Sequence, residues 1–191
     1  MAKTVSAVSI EELIDPEELN RIKSELITCP GINNNLAGSI SHIEKNFAKG
    51  ILITTHDMAV DELGLVHSGF VFNAANYIAQ AAINKEFSVL IGSRSFFYAP
   101  LKVGDILNLE ASALFSDDSR KREVKVVGFV NEIKIFDASF QVITTDDHIF
   151  KLKQSKTNTS KNQQEVSKQE PSKQEASQQR ELNAALKGIG S

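Results

Sequence analysis

The sequence predicts an α+β fold in which one long, buried helix is covered by an antiparallel sheet of about five strands. Three observations carry this expectation. Residues 68–85 are apolar almost all round and hold neither Gly nor Pro after Gly69, the pattern of a helix with no solvent face. After it come four blocks, 87–99, 105–115, 122–130 and 134–145, rich in β-branched and aromatic residues and separated by turn residues. One extended segment before the helix and four after it leave two apolar surfaces that must cover each other.

Taken in order, residues 10–28 read as helical. Ser9 and Glu12 have the spacing of a capping box, and Ile10, Leu13, Ile14, Leu19, Ile22, Leu26 and Ile27 recur near helical spacing. Asp15-Pro16 predicts a break and a fresh start inside that stretch. Cys29-Pro30-Gly31 and the three asparagines at 33–35 predict a loop. The apolar stripe is expected to dock on the body of its own chain. Residues 42–59 read as one extended segment with a bulge or bend at Gly50. Ser68 or His67 is placed to cap the central helix. Asn73, Asn76, Gln80 and Asn84 make that helix too polar for a membrane span. Turns are expected at 100–104, 116–119 and 131–132. In the last strand Phe136, Ala138, Phe140 and Val142 share one face, with Asp137, Ser139 and Gln141 on the other.

Composition divides the chain into an N-terminal helical extension at 1–41, a main domain at 42–150 and a low-complexity tail at 151–191. The tail repeats Ser167-Lys-Gln-Glu-Pro and Ser172-Lys-Gln-Glu-Ala, a composition that cannot bury enough apolar surface to order itself. It carries eight Lys/Arg and four Glu, so residues 1–150 hold 13 basic and 20 acidic residues, a net −7. An acidic body argues against a nucleic-acid binder. Cys29 is the only cysteine, which excludes an internal disulfide and a cysteine zinc site, and no metal site is expected. No secretory signal or membrane span is legible, so a cytoplasmic protein is the expectation.

The string His67-Ser68-Gly69-Phe70-x-Phe72-x-x-Ala75-Asn76 resembles the helix start of the hotdog-fold acyl-CoA thioesterases. The stretch Arg94-Ser-Phe-Phe-Tyr-Ala-Pro100-Leu-Lys-Val-Gly104-Asp105 resembles their second strand and its turn, and the resemblance covers about residues 42–146. It implies a homodimer, with a dimer of dimers left open, and a CoA ester as substrate or ligand without a further cofactor. In one branch of that family the working carboxylate lies on the helix, where this chain has Asn76. In another it precedes the helix in an Asp-x-x-Gly-x-Val pattern, which Asp61-Glu62-Leu63-Gly64-Leu65-Val66 fits. The same scaffold also hosts dehydratases, hydratases and acyl-CoA sensors.

Thioester hydrolysis needs a carboxylate to activate water or attack the carbonyl, and donors for the oxyanion. Asp61 or Glu62 is the candidate acid, His67 the orienting group, and Asn76 a non-ionising hydrogen-bond partner. Backbone amides at Ser68, Gly69 and Phe70 are the candidate oxyanion donors, since a helix N-terminus leaves N–H groups free. Phe96 and Phe97 are candidates to line an acyl tunnel. Arg94, Lys102, Arg120 and Arg122 are candidates for the CoA phosphates. The leading expectation is acyl-CoA binding with hydrolysis to free acid and CoA. The alternative, motivated by an amide at 76, is a non-catalytic acyl-CoA-binding or regulatory module.

Overall fold

The computed structural model describes residues 9–114 and 119–151. The turn residues 116–118 and the tail beyond Lys151 lie outside the described residues. Residues up to Asp146 belong to one compact unit, and Asp147–Ser191 to a second. All that follows concerns the first.

Two short helices open the chain, α1 (Ile10–Leu13) and α2 (Pro16–Glu25). The capping box at Ser9 does not form, because the Ser9 side chain makes no capping hydrogen bond. Asp15 caps α2 instead, accepting from Glu17 N–H at 2.8 Å, with Pro16 in the first helical position where it has no N–H to waste. The asparagines read as loop form a one-turn helix, α3 (Asn34–Ala37), capped by Asn33. The apolar side of this region joins the main core through Ile22, Leu26, Ile32 and Leu36.

Six antiparallel strands follow, in the spatial order β1-β2-β4-β5-β6-β3. They are β1 (Ser39–Glu44), β2 (Phe47–Ile53), β3 (Ser88–Phe97), β4 (Ile106–Leu114), β5 (Lys121–Val130) and β6 (Ile133–Thr144). The sixth strand arises because the segment read as continuous from 42 reverses at Lys45-Asn46, with Asn46 in the left-handed region at φ 63°. Asparagine tolerates that conformation, and no glycine marks the turn. Gly50 is not a bulge. It pairs regularly with Ile40 and Leu109, and the irregularity falls opposite, between Ile40 and His42. Between β5 and β6, Asn131 and Glu132 both have positive φ, as a two-residue hairpin loop requires.

The central helix α4 (Ser68–Ile83) lies across the inner face of this sheet. Small side chains allow close approach: Ala74, Ala75, Ala79 and Ala81 are fully buried, and a Cβ at Gly50 would stand 2.5 Å from Ile78 Cγ1. The alternation expected in β6 is present, with Phe136, Ala138, Phe140 and Val142 buried, and Phe72 meets Phe140 edge-to-face at 5.4 Å. The polar side of α4 is covered by the N-terminal region. Asn73 Nδ2 donates to Leu36 O, Cys29 Sγ and Ser88 Oγ share Gln80 Oε1, and Asn84 accepts from Ile27 N–H while donating to Glu25 O. No helix among the described residues is long and apolar enough to cross a membrane.

Gly50→Ala should therefore destabilise the fold by about 1–3 kcal/mol through overpacking against Ile78. Urea unfolding measures this, and an unchanged midpoint would contradict the close contact.

Candidate functional site

Helix α4 begins where the chain leaves a tight loop. Ala59 and Val66 are bridged, Val60 N–H donates to Leu65 O at 2.8 Å, and Val103 N–H donates to Gly64 O at 2.8 Å. The loop is thus pinned to the turn that follows β3. Between them opens a cleft of about 420 Å³. Its walls are Val60 and Leu65 from the loop, His67, Ser68 and Val71 from the helix start, and Phe97 and Tyr98 from the end of β3.

His67 is the N-cap. Its Nδ1 accepts from the Gly69 N–H at 3.0 Å, while Phe70 N–H donates to His67 O at 3.1 Å. Two of the three amides expected to meet a ligand are therefore occupied by the cap itself. The Ser68 N–H has no acceptor among the described residues, and Ser68 lines the cleft. Gly69 has a steric reason to be glycine, because a Cβ there would lie 2.7 Å from His67 Nδ1. The cap also sets the imidazole tautomer. A neutral ring that accepts at Nδ1 carries its proton on Nε2, which makes that nitrogen a donor.

The acids are not gathered at this point. Asp61 is exposed and closes its own loop, its Oδ1 accepting from Leu65 N–H at 3.0 Å and its carbonyl from Gly64 N–H. Glu62 is exposed and has no hydrogen bond or ion pair among the described residues, and neither carboxylate lines the cleft. Asn76 is half-buried beside Gln80, whose Nε2 donates to its Oδ1 at 3.4 Å. It lies nine residues beyond His67, roughly 13 Å along the helix, so one chain cannot bring the two to one carbonyl.

The basic candidates scatter as well. Arg94 stands on the outer face of β3 with its guanidinium 5.2 Å from the Phe96 ring, so Phe96 leaves the tunnel reading and Phe97 alone of that pair lines the cleft. Lys102 is exposed in the turn bridged to Leu65. Arg120 pairs with Asp146. Arg122 is no hairpin-tip residue: it is 2% exposed within β5 and donates to Asn46 Oδ1 at 2.6 Å. Its register partner Val142 pairs with Leu90, seven residues before Phe97, which puts Arg122 roughly 23 Å along the sheet from the cleft. Burial pushes the Cys29 thiol above its ordinary range, so it offers no thiolate. The sequence reading missed Tyr98, although it stands beside the two phenylalanines at the strand end.

No family model matches the chain. Among solved structures it is similar to Cj0977, a sigma28-regulated virulence protein from Campylobacter jejuni, at 59% identity over 73% of this chain and 99% of that one, with a TM-score of 0.72. The chain belongs to the same family as Cj0977, and its fold is the hotdog fold. A more distant hotdog neighbour, smu.793 from Streptococcus mutans, was solved bound to acetyl CoA; it is 16% identical over 62% of this chain and 97% of that one, with a TM-score of 0.55, and shares the fold alone. A curated methylthioribose-1-phosphate isomerase from Aquifex aeolicus is 35% identical over 121 residues, 63% of this chain. This chain spans about a quarter of that protein's length.

In this hotdog domain His67→Ala removes the cap of α4 and should cost about 1 kcal/mol, whereas His67→Asn, which can also accept from Gly69 N–H, should recover most of it. Thermal unfolding of the two variants separates these outcomes.

Proposed function

We propose that the cleft at the start of α4 binds an acyl thioester and holds it without a proton acceptor for hydrolysis. The observation that carries this reading is the Ser68 N–H, a donor unengaged among the described residues, at a helix N-terminus that opens into an apolar cleft. A carbonyl oxygen docked there would gain that donor and the partial positive charge of the helix end. His67 Nε2–H would be a second donor beside it, and Val71 and Phe97 would pack the acyl group. The acetyl CoA held by smu.793 supports the same ligand class here. On this reading no metal or redox cofactor takes part, and the CoA ester is the ligand.

Hydrolysis is the second reading. It is favoured by Glu62, which has no partner among the described residues and lies in the loop whose Val60 and Leu65 line the cleft. A turn of that side chain would supply the acid that the observed arrangement does not.

A homodimer also fits. The β1 edge is covered by α2, where Arg21 Nη2 reaches Ile43 O and Glu18 accepts from His42. The β3 edge has no such cover among the described residues and presents Ile91, Phe96 and Phe97 to solvent, an exposed strand that pairing with a second copy would satisfy. A second copy is also the route by which Asn76 would reach a docked carbonyl.

Ser68→Pro tests the binding site directly. Proline is accepted at the first helical position and has no N–H, so the variant should keep its melting temperature while acetyl-CoA affinity falls roughly tenfold by calorimetry. Undiminished affinity would remove the amide from the site. A thiol-release assay addresses the chemistry: the wild type should release no CoA, and turnover abolished by Glu62→Gln would establish hydrolysis in place of binding alone.

A further inference from the structure

Tyr98, Lys134 and Asp137 form a cluster at the cleft that the reading above leaves unused. Tyr98 is 56% exposed and yet tied down at three points. Its N–H donates to Ile135 O at 2.8 Å, and its hydroxyl donates to Asp137 Oδ2 at 2.8 Å. Lys134 Nζ pairs with that same carboxylate oxygen and stands 5.2 Å from the centroid of the Tyr98 ring. Asp137 is the register partner of Phe96 and lies on the face of β6 opposite to the buried Phe136 and Ala138. The hydrogen bond therefore draws the tyrosine ring to the outer lip of the cleft, away from its floor.

The result is an exposed aromatic ring, held still, with an ammonium group over one of its faces. An exposed side chain serves packing poorly, and three ties on a lip residue are out of proportion to what burial there would need. A fixed aromatic face beside a cation suits a planar base that carries phosphates. The base gains stacking and the phosphate oxygens gain the ammonium. Lys134 gives one N–H to Asp137 and keeps others to offer. Lys102, in the turn bridged to Leu65 and four residues beyond Tyr98, has no ion pair among the described residues and adds a second cation on the same segment.

We infer that Tyr98, Lys134 and Asp137 are the docking site for the nucleotide end of the ligand, an adenine-type base on the Tyr98 ring with its phosphates on Lys134 and Lys102. This rests on the acyl-thioester reading and extends it to the half of the ligand that the helix start does not touch. Asp137 acts as a positioning residue, since one oxygen orients both Tyr98 and Lys134.

Three probes separate the parts of the ligand: acetyl-CoA, S-acetylpantetheine (the ester without the nucleotide) and adenosine 3′,5′-bisphosphate (the nucleotide without the ester). Calorimetry on the full chain gives the affinities. The sequence has no Trp and two Tyr, of which Tyr77 is buried, so quenching of tyrosine fluorescence by the bisphosphate reports on Tyr98. Tyr98→Ala and Lys134→Ala should each weaken acetyl-CoA and the bisphosphate roughly tenfold, leave S-acetylpantetheine unchanged and keep the melting temperature. Asp137→Ala should do the same, and Asp137→Asn, which still accepts from the tyrosine hydroxyl, should restore binding in part. Equal losses for both esters would place Tyr98 on the acyl group, and unchanged affinities would reduce the cluster to a clasp on the strand end; either overturns the inference. If the wild type binds S-acetylpantetheine as tightly as acetyl-CoA, the thioester reading stands and this one falls. If it binds the bisphosphate and neither ester, the nucleotide site stands and the thioester reading falls.

Discussion

Helix α4 has almost no polar face, so it must be shielded from water on nearly every side, and the remaining elements are arranged to do so. The sheet covers one side, with Gly50 and the alanines of α4 letting backbone approach backbone. The other side carries Asn73, Gln80 and Asn84, and there the cover comes from the N-terminal region. Its backbone groups at Glu25, Ile27 and Leu36 and the Cys29 side chain meet those amides. Amides that would be costly if buried without partners thus become the specific contacts that dock the extension. What is left open is the front of the helix, and the cleft is there.

The same demand explains which features were legible in the sequence. The helix, the four later strands and the β6 alternation follow from local patterns whose period survives tertiary packing. The β1–β2 reversal was not legible because Lys45-Asn46 lacks the glycine that usually announces a hairpin. Gly50 looked like a bulge because a strand glycine usually is one; its cause, the approach of Ile78 from another element, is a non-local contact that no local pattern encodes. The Ser9–Glu12 spacing does mark a helix start, but only of the four-residue α1 and without a side-chain cap, while Asp15 next to Pro16 caps the separate helix α2.

At the site, position along the helix was readable and orientation was not. His67, Ser68 and Phe97 line the cleft as their places in the chain suggest. Asp61 has the residue type and spacing of a working acid, but an aspartate four residues before a turn amide can also close its own loop, and Oδ1 does so. Arg122 has the composition of a hairpin tip, but its strand parity turns it into the sheet's interior beside Asn46. A charge run in the sequence reports charge; only register decides which of its members meets solvent.

One hydrogen bond couples the fold to the chemistry proposed here. The Gly69 N–H would otherwise be an orphan donor at the helix start, and His67 Nδ1 satisfies it. In doing so it keeps the proton on Nε2, and an imidazole held in that tautomer gives hydrogen bonds to a ligand without taking a proton from water. A hydrolase with this arrangement would need its proton acceptor from elsewhere, and the carboxylate of Asp61 is engaged in its loop. On the binding reading proposed above, the cap that starts the central helix is also what fits the cleft to hold an ester.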